Sequence, residues 1–193
     1  MVKKIALAIA AVLGVAVVVI LGLASTKPDV MVIERSAVIK APPEKLFAKV
    51  NNLHSWIEWS PYEALDPKVK RTFSGPDAGK GAVYAWDGNN DVGAGSMEIT
   101  EITEPSNIKI DLRFLKPFKG DNKVNFSFVP VTEPAANGAD ANGTKANATK
   151  VSWTMSGESP LMCKVMQVFC NVDDMCGKDF EKGLAKLKTL AEG

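Results

Sequence analysis

The sequence predicts an α+β domain in which an antiparallel sheet is covered on one face by a C-terminal helix, with a single apolar helix ahead of it. Three observations carry this expectation. Ile5 to Ala24 is apolar without a charge or a proline. Several later segments alternate apolar and polar residues with a period of two, as half-buried strands do. After Ser159-Pro160, apolar residues recur every three or four positions as far as Leu187, which is the spacing of an amphipathic helix.

About twenty helical residues at ~1.5 Å each span roughly 30 Å, the thickness of a bilayer's hydrocarbon core, so Ile5–Ala24 is long enough to cross once. Lys3 and Lys4 precede the run and only Lys27 follows closely, an asymmetry that keeps the N-terminus in the cytoplasm and exports the rest, to the periplasm in a bacterium. A cleaved secretory signal is the competing reading. Gly22-Leu23-Ala24 supplies small residues for cleavage, yet the run exceeds the ~7–15 apolar residues usual in a signal. The expected organisation is an anchor over 1–24, a linker over 25–31 and one ligand-binding domain over 32–193.

Val30–Lys40 is rich in Val and Ile and stops at Ala41-Pro42-Pro43, as an opening strand would. Pro43 suits a first helical position and Glu44 the positive end of the helix dipole, so a short helix follows, with Leu46, Phe47, Val50 and Leu53 on one face. Trp56-Ile57-Glu58-Trp59-Ser60-Pro61 forms an aromatic turn or second short helix. Strands are expected at Val69–Phe73, Ala82–Asp87, Ile108–Leu115, Val124–Val129 and Val151–Ser156, separated by turns such as Ser74-Gly75-Pro76-Asp77 and Glu104-Pro105-Ser106-Asn107. Ala135–Thr149 holds too few apolar residues to join a core and reads as an expanded hairpin loop. Its Asn142-Gly143-Thr144 and Asn147-Ala148-Thr149 sequons matter only in a secreting eukaryotic cell.

The closing helix is expected to run unbroken from Ser159-Pro160, with Met162, Val165, Met166, Phe169, Val172, Cys176, Phe180, Leu184 and Leu187 turned to the sheet. Gly177 and Gly183 each weaken it by ~1 kcal/mol relative to alanine, so packing must compensate and a bend is expected near them. Cys163, Cys170 and Cys176 fall within this one helix, roughly 10 Å apart along the axis, too far for an intrachain disulfide. They read as small apolar fillers, with an intermolecular disulfide or a redox thiol as the alternatives.

Charge excludes some functions. Lysine and arginine number 23 against 22 acidic residues, and the resulting net charge of +1 with no basic stripe gives nucleic acid no footprint. Metal-ligand spacing, a phosphate loop and a nucleophile–base arrangement are all missing from the motifs, so no cofactor, metal or catalytic residue is expected. His54 reads as a surface histidine, Glu58 as a solvated turn residue, and Asp87 and Asp121 as turn formers.

The large inward side chains suggest a cavity. The sheet and the aromatic turn would supply Trp59, Tyr84, Trp86, Met97, Phe114, Phe126, Trp153 and Met155, and the helix Met162, Met166 and Phe169, a set of aromatic and adaptable sulfur groups suited to an apolar guest. Tyr84 and Trp86 can also orient a polar end through O–H and N–H.

The order of elements, together with Ala41-Pro42-Pro43-Glu44-Lys45-Leu46-Phe47, Trp56-Ile57-Glu58-Trp59-Ser60-Pro61 and Tyr84-Ala85-Trp86-Asp87-Gly88-Asn89, resembles the START-like SRPBCC superfamily over roughly Val32–Ala191. The stretches Val92–Met97 and Phe114–Phe118 are similar to its polyketide cyclase/dehydrase and lipid transport branch. The resemblance implies a helix-grip (START/Bet v 1-like) fold, a curved sheet wrapped round the last helix and a hydrophobic cavity. It does not choose between carriers and enzymes. The expected function is therefore a membrane-tethered, extracytoplasmic domain that binds a lipid or quinone-like molecule. A cyclase or dehydratase using Glu58 or His54, and an interaction module with a filled core, are the alternatives.

Overall fold

The computed structural model describes residues 2–132 and 147–193. Helix α1 (Val2–Ser25) leads into β1 (Val30–Ile39), and α2 (Pro43–Asn51) follows with proline in its first turn, as its sequence dictates. A short 3-10 turn (Leu53–Ser55), α3 (Trp56–Trp59) and a second 3-10 turn (Pro61–Ala64) then lead to six strands: β2 (Lys70–Ser74), β3 (Val83–Asp87), β4 (Ala94–Thr103), β5 (Asn107–Lys116), β6 (Gly120–Thr132) and β7 (Asn147–Glu158). Two helices end the chain, α4 (Leu161–Phe169) and α5 (Val172–Glu192).

The strands form one curved antiparallel sheet in the order β1-β7-β6-β5-β4-β3-β2. Consecutive strands from β2 to β7 are neighbours, and β1 closes against β7. Two register shifts in the β4–β5 pair, at Ala94/Gly95 and Ile99/Glu101, bend the sheet there. The period-two pattern puts one row of apolar side chains after another on the inner face. Arg35, Trp153, Phe126 and Ile108 are successive cross-strand partners in one row, and Ile33, Met155, Val124 and Ile110 in the next.

Helix α5 lies on this face and buries Phe180, Leu184, Leu187 and Ala191, spaced by three or four residues. Each such burial contributes roughly 1.5–3 kcal/mol. Leu46, Phe47 and Val50 of α2 and Trp56 and Trp59 of α3 complete the core. The close fit explains the glycines that looked costly in the sequence. A Cβ at Gly183 would stand 2.9 Å from the Trp153 ring and 3.1 Å from Pro61, and one at Gly177 would collide with the Arg35 guanidinium. They mark places where α5 touches the sheet.

The C-terminal segment corrects the expectation of one unbroken helix. It divides at Cys170-Asn171, well before either glycine, because Asn171 caps α5: its Oδ1 accepts from the Asp174 amide at 3.3 Å, and Asp173 and Asp174 occupy the positive first turn. Helix α4 buries none of its residues and packs against α1. The cysteines differ correspondingly: Cys170 is exposed in the junction, Cys163 is half-buried, and Cys176 packs at the margin of the core. Burial pushes the Cys176 thiol up, with Asp179 and Asp173 adding to the shift.

The polar loop expected at Ala135–Thr149 lies outside the described residues as far as 146, as does its first sequon. Its last residues are strand: Ala148 and Thr149 are buried in β7, and the Thr149 hydroxyl donates to the Ala41 carbonyl at 2.7 Å. That hydroxyl is committed to the core in the folded chain.

Candidate functional site

The inner face of the sheet has two regions of different character. Under the second half of α5, aromatic rings fill the space. Trp153 stacks on Phe180 with centroids 4.1 Å apart and planes 3° off parallel. Trp59 meets Trp153 at 5.7 Å and Phe126 at 6.1 Å, both edge to face, and Trp56 lies 4.7 Å from Trp59. Trp59, Phe126 and Trp153, expected to line a cavity, therefore form packed core. The Trp56 indole donates to the Val50 carbonyl at 2.9 Å, whereas the buried Trp59 and Trp153 indole nitrogens have no hydrogen-bond partner among the described residues.

Two rows further along the strands the side chains are slightly more exposed, Leu112 and Met97 at 8% against 0–3% for Ile108, Phe126 and Trp153. Met31, Gly157, Asn122, Leu112, Met97 and Tyr84 are successive cross-strand partners in a single row from β1 to β3. Gly157 contributes no side chain, and the Asn122 amide lies over it so closely that a Cβ there would collide. Beyond this row lie Phe114, Gly95 and Trp86. Gly95 is where the Trp86 ring rests, since a Cβ there would come within 2.6 Å of it. The Trp86 N–H is tied to the Val92 carbonyl at 3.2 Å, leaving the ring, 6.1 Å from Phe114, partly exposed. Of the expected site residues, Tyr84, Trp86, Met97 and Phe114 thus share this part of the face, with Tyr84 and Met97 buried in it, while Met155 lies one row nearer the packed aromatic core.

A polar network at its far edge escaped the sequence reading. The Glu63 side chain, 10% exposed, accepts two hydrogen bonds from Arg71 at 2.8 and 2.6 Å on one oxygen and the Tyr84 hydroxyl at 2.7 Å on the other. Burial and this bond to Glu63 raise the Tyr84 phenol well above its ordinary range. Tyr62 is raised chiefly by burial, with Cys176 and Asp179 nearby. The β2–β3 pairing brings Arg71 and Tyr84 together, and no local motif announces it.

At the β1 edge the row opens into a cleft of about 470 Å³, lined by Lys27, Pro28, Val30–Val32 and 167–173. Met31 and Val172 line this cleft and also pack against the core, so its floor is continuous with the inner face. Phe169 lies in the cleft. Met162 and Met166 lie elsewhere: they are 62% and 43% exposed on α4, which packs on α1, and they do not join the sheet residues. The broken helix is the reason, since α4 no longer follows the course of α5.

His54 reaches the second region only through Phe73, which stacks on Tyr84 at 5.0 Å, and Glu58 lies outside both. His54, half exposed, stacks on Phe73 at 3.9 Å beside a small cleft of about 170 Å³. Glu58 is an exposed partner of Lys49 at 2.8 Å. Asp87 pairs with Lys116 at 3.2 Å and Asp121 with Arg113 at 3.5 Å.

Residues 31–192 match the family model described as polyketide cyclase/dehydrase and lipid transport. No curated protein matches the chain. Among solved structures, a protein from Chromobacterium violaceum is 16% identical with a TM-score of 0.56, covering 86% of this chain and 99% of its own. Norcoclaurine synthase from Thalictrum flavum, determined with dopamine and hydroxybenzaldehyde, is 11% identical with a TM-score of 0.54, covering 85% and 89%. A START superfamily protein from Mycobacterium smegmatis is 14% identical with a TM-score of 0.50, covering 83% and 97%. At these identities the likeness is one of fold. The family match spans most of the sequence, and the chain belongs to the polyketide cyclase/dehydrase and lipid transport family of the START-like SRPBCC superfamily.

Proposed function

We propose that the protein is held to a membrane by α1, with its domain on the extracytoplasmic side, and that it binds a hydrophobic small molecule of lipid or quinone-like character. The carrying observation is the cleft floored by Met31 and Val172, from which a single row of sheet residues leads to Leu112, Met97 and Tyr84. A volume of about 470 Å³ falls within the ~300–1,000 Å³ of small-molecule sites. The partly exposed Trp86 and Phe114 offer apolar surface beside the row, and the Asn122 amide and Glu63–Tyr84 pair offer polar groups for one end of a guest.

The anchored reading has support in α1 itself. Among the described residues it is the one helix long and apolar enough to cross a membrane. The small residues that suggested a cleavage site lie inside it, and Ala24 is fully buried against the domain. A tether this short holds the cleft where greasy ligands partition, which raises their effective concentration.

Titration of the full-length protein in nanodiscs with a fluorescent long-chain fatty acid tests the site. Val172→Trp fills the cleft and is expected to weaken binding at least tenfold, a loss of about 1.4 kcal/mol. Unchanged affinity in a folded variant would place binding elsewhere.

A further inference from the structure

Helix α4 carries an apolar stripe that no other described residue covers. Met162, Met166 and Phe169 follow one another at intervals of four and three residues and are 62%, 43% and 67% exposed, with Leu161 beside them at 59%. The opposite side is fixed in place. Lys164 pairs with Asp29 of the linker, and the Gln167 amide donates to the Ser159 hydroxyl at 2.8 Å. The helix contains no acidic residue. It is therefore a firmly held element whose outer face lacks a partner among the described residues.

The depth of α4 identifies that partner. Helix α1 meets the domain through its last turns, where Ala24 is fully buried and Ile20 partly so, and α4 is the element against which it packs. If Ile5–Ala24 occupies the ~30 Å hydrocarbon layer, the stretch from Ile20 to Ala24 lies in its outermost ~6 Å. A helix packed there sits at the boundary of acyl chains and headgroups, the level at which in-plane amphipathic helices lie, ~5–10 Å deep. The exposed Val30 and Val32 of β1 adjoin the same region.

We propose that α4 is a membrane-surface helix, with Met162, Met166 and Phe169 seated in the bilayer that α1 crosses. The inference rests on the anchored reading given above. It adds that the domain is docked on the lipid surface and does not swing freely on its linker. Because Phe169 also lines the cleft, docking places the cleft's rim at the lipid surface, and a guest can pass from bilayer to protein without crossing bulk water. Apolar burial holds α4 in place, so docking is expected to persist in neutral phosphatidylcholine and at high salt.

The test uses the full chain in phosphatidylcholine vesicles, with Cys163→Ser, Cys170→Ser and Cys176→Ala. Single cysteines introduced by Met162→Cys or Met166→Cys carry an environment-sensitive fluorophore. Leu13→Cys reports on α1, and Val129→Cys, at the far end of the strands, reports on water. Labels at 162 and 166 are expected to be blue-shifted and quenched by spin-labelled lipid, like that at 13, while the label at 129 is quenched by iodide. Quenching by lipid at 13 alone, with 162 and 166 open to iodide, would refute docking and leave the anchor standing. No lipid quenching at 13 would refute the anchor and docking together. Labels at 162 and 166 shielded from both quenchers, and exposed on dilution of the protein in lipid, would assign the stripe to a second copy of the chain and overturn the proposal.

Discussion

The guanidinium of Arg35 lies against the bare Cα of Gly177, so that strand β1 and helix α5 meet where the helix has no side chain. From there Arg35 donates to Glu181 at 3.0 Å, to both Asp173 carboxylate oxygens at 3.2 and 2.9 Å, and to the carbonyls of Glu34 and Asp173. The Asp173 bond raises the Arg35 pKa further, so the charge is permanent. Glycine in a helix interior ordinarily costs ~1 kcal/mol relative to alanine. Gly177→Ala is nevertheless expected to destabilise the protein by about 1–3 kcal/mol, because the new methyl displaces the guanidinium. In an Arg35→Ala background the same change should become neutral or stabilising. Denaturant unfolding of the four chains of this cycle, in detergent, measures both numbers.

Both tyrosines of the chain, Tyr62 and Tyr84, are raised above their ordinary pKa, each chiefly by burial. An unfolded tyrosine titrates near pH 10. The stability these residues contribute is therefore present in full below about pH 10. It declines as pH rises through the window above, where the unfolded chain loses its phenolic protons first. In an alkaline titration, phenolate absorbance should rise only with the loss of the native circular dichroism signal. Absorbance rising near pH 10 in a folded chain would contradict the burial described for both rings.

The two regions of the inner face should respond differently to truncation. Trp153→Ala removes a ring stacked on Phe180 and should cost about 3–5 kcal/mol of stability. Trp86→Ala removes a partly exposed ring and should cost less stability, while weakening fatty-acid binding about tenfold. Paired unfolding and binding measurements separate the two effects.

Sequence patterning revealed the strands because period two is a direct consequence of one buried face. β5, with Ile108, Ile110 and Leu112 buried, lies where the alternation put it. The helix break was less visible, since apolar spacing runs on through Phe169 and Val172 and conceals Asn171 as a cap. Periodicity also shows that α4 has an apolar face without showing what meets that face, and the expectation that the sheet would do so failed for Met162 and Met166. Glu63 escaped because its partners Arg71 and Tyr84, 8 and 21 residues away, reach it only through strand pairing. Trp59 and Trp153 were legible as large inward residues, but whether such residues line a space or fill it depends on neighbours distant in the chain.

In the proposed function a hydrophobic molecule occupies the space between the β1 edge and the α4–α5 junction. Native mass spectrometry of the full-length protein, gently extracted from its membrane, addresses it most directly. A retained small hydrophobic adduct that disappears in Val172→Trp, with both chains folded, is expected. Bare protein in every extraction, or an adduct retained equally by the filled variant, would contradict it.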